Sequence, residues 1–400
     1  MITSRGRERD DHRRRGVVAA QVAVCLVLLM AMAALTIDIG AMFNARADLQ
    51  KAADATALAG ASVYTTDDMM RIRQGSGDAF AVQDLVVMAK DRVDHVSPLN
   101  PSFGSSLMFV EPADMAAGWI DLSSGNSALQ TGAPPNTFQA LQVVTRRTTE
   151  ATNGPVQMMF SRVFGITTSD LTATAVGVFD DRFAGVTVTE LGVDLLPFTI
   201  HEDAFAQELA QGGDQYGYHE DSGAVDSAPD GIREVRLYPY PLSGSGYTEG
   251  DGNFGVLNIG TGNQGLDAEV IQIQNGISTE DMIMEIGTAS PTFHDDDGSQ
   301  VSYDMTGSPG LESSLRESIT AKIGDVVGFF LHDHVILSGS NAIYRVTEIR
   351  YGRVMDIRLT GSPEQRGFFI QPVSYSGSEV RIDPEAPSTG GLVGRLVLAR

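Results

Sequence analysis

His332-Asp333-His334 sets two imidazoles two residues apart. On a strand both would point to one side, which is half of a zinc site. The sequence names no third or fourth ligand, and a surface or loop pair is the simpler reading. His294-Asp295-Asp296-Asp297-Gly298-Ser299 has the carboxylate density to attract calcium. It lacks the alternating acids and the later glutamate of an EF-hand loop, so a solvated acidic loop is expected. Glu220-Asp221 and Asp226 read likewise. Gly260-Thr261-Gly262-Asn263-Gln264-Gly265 is formally G-x-G-x-x-G, but Asn, Gln and the following Asp267 are poor openers of a helix, so no phosphate cradle is expected. No Ser-His-Asp or Cys-His grouping can be assembled: the one cysteine, Cys25, lies in an apolar run, and no G-x-S-x-G elbow is present. Catalytic and cofactor-binding residues are therefore not expected, and the metal candidates reduce to His332 and His334.

One further residue could do electrostatic work. Asp38 directly follows Ile37, the last residue of that apolar run. A carboxylate there either marks the water boundary or pairs with a basic group on a neighbouring helix.

The element that positions Asp38 is RRRGVVAAQVAVCLVLLMAMAALTIDIG, residues 13–40. From Val17 to Ile37 it carries no charge, and a helix of that length spans ~32 Å, the thickness of a bilayer's hydrocarbon core. Six arginines (Arg5, Arg7, Arg9, Arg13, Arg14, Arg15) precede the run and the first cation after it is Arg46, which places the N-terminus in the cytoplasm and exports the rest. Two other fates are open. Ala31-Met32-Ala33 resembles a signal-peptidase triplet, although the apolar run continues past it to Ile37. Gly16 follows the basic run as in prepilin-type leaders, although Gln21 stands where such leaders usually carry Glu. Retention as an anchor is the reading the run's length favours.

Composition fits an exported, folded body. Hydrophobic residues make up 42% and charged residues 20% of the 400, an ordinary globular balance in which disorder is not the default and about two domains with cores of their own are expected. With no cysteine outside the apolar run, no disulfide can staple that body. The first sixteen residues hold six arginines against Glu8, Asp10 and Asp11, a balance of +3, so the remainder carries −26 of the total −23. A surface so acidic repels phosphate backbones, and nucleic-acid binding is not expected.

Beyond the run, residues 41–62 (AMFNARADLQKAADATALAGAS) are rich in helix formers. With the span they predict a rod of about 69 Å, whose small residues Ala45, Ala52, Ala53, Ala57 and Ala59 would let another helix approach closely. Plain helix propensity explains them as well. Arg15-Gly16, Ile37-Asp38-Ile39-Gly40 and then Leu49-Gln50-Lys51-Ala52-Ala53-Asp54-Ala55-Thr56-Ala57-Leu58-Ala59-Gly60-Ala61 together resemble the N-terminal signature of TadE/TadG-like proteins of the Tad (Flp) pilus assembly system. NGPVQMMFSRVFGITTSDLTATAVGVF (153–179), GNFGVLNIGTGNQG and NAIYRVTEIRYGRVMDIRLTG resemble later segments of the same proteins. The resemblance implies a bitopic inner-membrane protein that helps assemble or anchor a pilus, without catalysis or cofactor. Its signature and helix-interface residues would be Asp38, Gly40, Leu49, Gln50, Ala52, Ala53, Asp54, Ala57, Ala59 and Gly60, with Gly16 as a leader cleavage point if processing occurs. Some such proteins carry a von Willebrand A domain with an Asp-x-Ser-x-Ser metal loop. Asp121-Leu122-Ser123-Ser124-Gly125 approaches that pattern and fails at its last position.

Downstream, Phe80, Leu85, Met88, Ala89 and Val93 mark one face of a helix over 78–97, ended by Pro98 and Pro101. Leu141, Val143 and Thr145 alternate as a strand, 155–164 reads as a helix packed on its sheet, and 171–179 as another strand. Strands are expected at 233–240, 254–259, 268–274, 367–375 and 392–399, with a hairpin turning at Tyr351-Gly352 before Met355, Ile357 and Leu359. The organisation predicted is α+β: a basic cytoplasmic segment 1–16, a transmembrane helix 17–37, its extension 38–62, an exported α+β unit 63–185 and a mostly β domain 186–400. The expected partners are the membrane and other pilus-assembly or pilin-like subunits, with self-association open and no small-molecule substrate evident. The alternative is an anchored exported hydrolase or metal-binding protein using His332 and His334. Metal analysis of the purified protein separates the two: the assembly reading expects no stoichiometric zinc or calcium.

Overall fold

The computed structural model describes all residues except 1–4, 76–81, 103–109, 111, 124–127, 190–193, 239–253, 261–265, 339–340, 362–365 and 400. Its helices are α1 (Arg5–Ala61), α2 (Asp67–Arg73), α3 (Val82–Val96), α4 (Glu202–Gln211), α5 (Leu266–Asn275), α6 (Thr279–Ile286) and the short α7 (Arg316–Thr320). The long apolar helix is followed by mixed helix and strand and then by a largely β C-terminal region, the α+β architecture with a stalk. Two compact units divide the chain: residues 1–57, 91–115 and 143–175 form one, and residues 58–90, 116–142 and 176–400 the other.

The first unit is organised along α1, a single helix of 57 residues, ~86 Å at the usual rise. Nothing in its interior breaks it: there is no proline, and Gly16, Gly40 and Gly60 are each surrounded by strong helix formers. The chain returns to it through strand Ala140–Arg147, a β-bridge pair Val156–Gln157 and Thr168–Ser169, and strand Leu171–Asp180, the first and last of which continue into the second unit. Ala45 packs on Val156 and Met158, with Met42 and Leu171 at the rim. Arg147 braces the return, donating from its three guanidinium nitrogens to the carbonyls of Ser102, Gly154 and Pro155 at 2.8–3.2 Å.

In the second unit, strands Leu195–His201, Phe254–Leu257, Tyr303–Pro309, Asn341–Arg358 and Val326–Ser338 pair in that order, and the last pairs back on the first, closing a ring. Strands Gly367–Pro372 and Val235–Tyr238 extend it along Asn341–Arg358. All neighbours are antiparallel except Leu195–His201 beside Val326–Ser338. Phe198 fills the ring, its centroid 5.8 Å from that of Phe254 and 5.5 Å from that of Phe368. The Tyr344 ring lies so close to Gly255 that a Cβ there would stand 2.3 Å from its hydroxyl, which is why only glycine fits this strand position. Elsewhere in the unit, strand Val393–Ala399 pairs antiparallel with Val176–Asp180, and Tyr375–Ser376 joins it in parallel.

Several expectations need correction. Residues 155–164 are not a helix: Gly154 and Pro155 lead into the bridge pair, and only Ser161–Phe164 turns, as one 3-10 turn stopped by Gly165 at φ +84°. Residues 268–274 are not a strand but the body of α5. Its first turn carries Asp267 and Glu269, favourable to the helix dipole, so a helix does open after the Gly260–Gly265 segment, most of which lies outside the described residues. Tyr351-Gly352 is no turn; the strand runs unbroken through it, with Gly352 paired to Pro372 and Val327, and the chain reverses between Ser338 and Asn341. The predicted helix 78–97 is α3, with Leu85, Ala89 and Val93 buried and Met88 half-buried; Phe80 lies outside the described residues.

Buried acids give this fold a pH signature. Glu234 is almost fully enclosed, accepts hydrogen bonds from the amides of Gln215 and Tyr216, and is pushed up to about 7, chiefly by desolvation. Glu208 and Glu348 are raised by the same cause. A carboxyl with a raised folded-state pKa contributes stability that is complete below its unfolded value and lost as pH rises through its folded one. Urea midpoints of the detergent-solubilised protein should therefore fall between about pH 5 and pH 8. Glu234→Gln should flatten that slope, and an unchanged slope would refute the assignment.

Candidate functional site

At the foot of α1 the apolar run meets the returning chain. Val18 to Ile37 are exposed along their length except for the half-buried Ala31 and Ala34. Asp38 breaks the pattern, being only 2% exposed. Its carboxylate gathers three consecutive backbone amides at the start of the 3-10 turn and just before it: Met159 N–H at 3.0 Å, Phe160 N–H at 3.0 and 3.2 Å, and Ser161 N–H at 2.5 Å. The Ser161 hydroxyl donates a further bond at 2.6 Å. Successive amides aimed at one point form an anion-binding nest, and here the chain's own helix supplies the anion. The partners of Asp38 are thus amides of the same chain rather than a basic group on a neighbouring helix, and the carboxylate is covered rather than set in water.

Farther up α1 the contacts continue in register. The Leu49 carbonyl accepts from the Thr145 hydroxyl at 3.0 Å, and the Gln50 amide donates to the Asp54 carboxylate at 2.8 Å and to the Thr174 carbonyl at 3.2 Å. Ala45, Leu49, Ala52, Ala53 and Ala57, spaced along one helical face, are fully buried by this chain, as is Gly60; Ala59 is half-buried. That small-residue face is therefore already occupied and is not free for another subunit. Gly40 differs: it is exposed, with open space where a side chain would stand. Gly16 lies within α1. Sequence reasoning singled out Asp38 but not Met159, Phe160, Ser161, Thr145 or Thr174, although Ser161 amid apolar neighbours was a visible signal.

The chemistry-bearing motifs do not assemble. A β-bulge opposes His332 to Val346 and His334 to Arg345, adjacent residues of one strand. His332 is consequently buried inside the ring, its Nδ1 2.8 Å from the Thr199 hydroxyl, while His334 is exposed, so the two imidazoles do not share a side. Among the described residues no group of three or more His, Cys, Asp or Glu could hold a metal. His294 to Ser299 form a tight turn closed by Gly298 N–H to Asp295 O at 2.8 Å, and the Asp297 carboxylate is held low by Ser299. Glu220 and Asp221 cap a small hairpin whose His219 and Asp226 pair at 2.9 Å. Asp121 accepts from the Ser123 amide and hydroxyl at 3.0 and 2.6 Å, an Asx turn; Ser124 and Gly125 lie outside the described residues. In the cleft lined in part by Asp194, Gln272 and Asp281, Ser278 and Asp281 form the capping box of α6, and Gln272 donates to the Ile259 carbonyl.

The arrangement ties a helix long and apolar enough to cross a membrane to a turn of the returning chain. Residues 16–63 match the family model described as putative Flp pilus-assembly TadE/G-like, so this N-terminal segment is TadE/G-like. No curated protein and no solved structure matches the chain.

Removing the carboxylate leaves three clustered amides without their acceptor, and hydrogen bonds to a charged group are worth ~1.5–3 kcal/mol each. Asp38→Ala should speed hydrogen exchange at residues 159–161 by about tenfold or more while leaving helix insertion unchanged. Ser161→Ala, which loses one bond, should have a smaller effect. Equal exchange in all three proteins would remove the clamp from consideration.

Proposed function

We propose that the protein is a structural or assembly component of a Tad (Flp)-type pilus or a related secretion apparatus, single-pass in the inner membrane, with its N-terminus cytoplasmic and its body extracytoplasmic. The observation that carries the reading is the TadE/G-like match at residues 16–63 falling on the same continuous helix that is long and apolar enough to cross a membrane. The basic N-terminal segment supports the orientation. The acidic remainder suits an exported soluble surface. Tethering is the mechanism assigned: the span fixes the protein, the clamp at Asp38 orients the body on it, and the body binds other pilus-assembly subunits. The reading assigns no catalysis.

Intact cells and spheroplasts test it. N-terminal sequencing of the mature protein should return a chain still bearing the basic segment, and protease added to spheroplasts should digest the body while sparing the span. Co-purification should bring down other subunits of the apparatus. A mature start at Val17 or Ala34, or a body protected until the membrane is broken, would overturn the anchor or its orientation.

A further inference from the structure

The turn that Asp38 holds carries an unusual surface. Met159, Val163, Phe164 and Ile166 are 71%, 85%, 68% and 55% exposed, four large apolar side chains within eight residues that stand largely uncovered among the described residues. Scattered exposed apolar residues are ordinary, but a contiguous cluster on one loop marks an interaction site. The occupant follows from where the loop is tied. Its backbone is bonded to the residue immediately after the apolar run, so the loop stands at the level where the helix leaves the bilayer.

The backbone of the turn fits that place. A lipid-facing segment must satisfy its own polar groups, since the acyl region offers no partners. Here Met159, Phe160 and Ser161 donate to Asp38, Met158 to the Thr167 carbonyl, Val163 to Phe160, Gly165 to Arg162 and Ile166 to Ser161. Arg162, exposed and reaching Gln157, lies in the same turn, where a guanidinium suits lipid phosphate.

We propose that residues 159–166 form a second membrane contact: an apolar turn seated in the head-group region of the outer leaflet beside the anchor helix, held there by Asp38. The contact would fix the rotation and tilt of α1 in the bilayer, which a single span leaves free. This inference rests on the anchored reading above, and its test distinguishes the two.

The test uses the full-length chain with Cys25→Ala, carrying single cysteines at Val163, Phe164, Leu28 or Lys51. Each is labelled with an environment-sensitive fluorophore and reconstituted into vesicles of phosphatidylethanolamine and phosphatidylglycerol. Lys51 is exposed on α1 roughly 21 Å beyond Ile37 and serves as the aqueous reference. Labels at Val163 and Phe164 should be blue-shifted and quenched by shallow nitroxide lipids several-fold more than the Lys51 label, and Asp38→Ala should weaken that quenching. Lipid quenching at Leu28 but not at 163 or 164, with those two open to an aqueous quencher, overturns the membrane contact and leaves the anchor standing. Shielding of 163 and 164 from both quenchers also overturns it, by showing a protein partner on the turn. No quenching at Leu28 removes the anchor, and the proposal with it.

Discussion

One carboxylate ties the two halves of this protein's physical problem together. A helix crossing a bilayer is held by solvent partition alone, and partition says nothing about how a folded body is oriented at its end. Asp38 ties the end of the apolar run to the returning chain by satisfying three amides about 120 residues away in sequence. The arrangement is economical because it is mutual: the amides would be orphaned without an acceptor, and the carboxylate, covered as it is, would be unstable without donors. From that point upward, Ala45, Leu49 and Gln50 meet the returning chain in order, so the clamp sets the register of the remaining contacts.

The second unit obeys a different constraint. Its ring closes only because glycine at 255 admits the Tyr344 ring, and because a bulge at 332–334 lets a long strand keep pairing while it bends. Those needs put His332 in the interior as a packing and hydrogen-bonding residue, its ring 4.9 Å from that of Tyr344. The same burial pushes the Glu234 carboxyl up. The raised carboxyl is thus a by-product of enclosure by the fold.

Much of the first unit could be read without coordinates. The apolar run, its helical extension and the odd carboxylate at their junction are local properties of composition and spacing, and they survive intact. What failed was whatever depended on distant partners or on ambiguous periodicity. Met158, Met159, Val163 and Phe164 mimic a helical face, yet these are the side chains of an open turn, and the glycines that bracket it were the better signal. Val270-Ile271-Gln272-Ile273 mimics a strand, yet Gln272 and Ile273 are adjacent and both buried, which a strand facing one core would not allow. The bulge that separates His332 from His334 leaves no mark in the sequence at all, because it is imposed by the partner strand.

The pairing of Val393–Ala399 with Val176–Asp180 bears on how the chain comes to be folded. About two hundred residues separate the two strands, so this contact is among the most non-local in the molecule and among the slowest to form. If the body crosses a membrane as an extended chain, its earlier strand emerges with an unfilled edge and waits there for its neighbour to follow. An open edge is a template for the wrong partner. Wherever the body folds, that edge stays open until the late strand arrives, so loss of the late strand is a defect in solubility before it is a defect in binding.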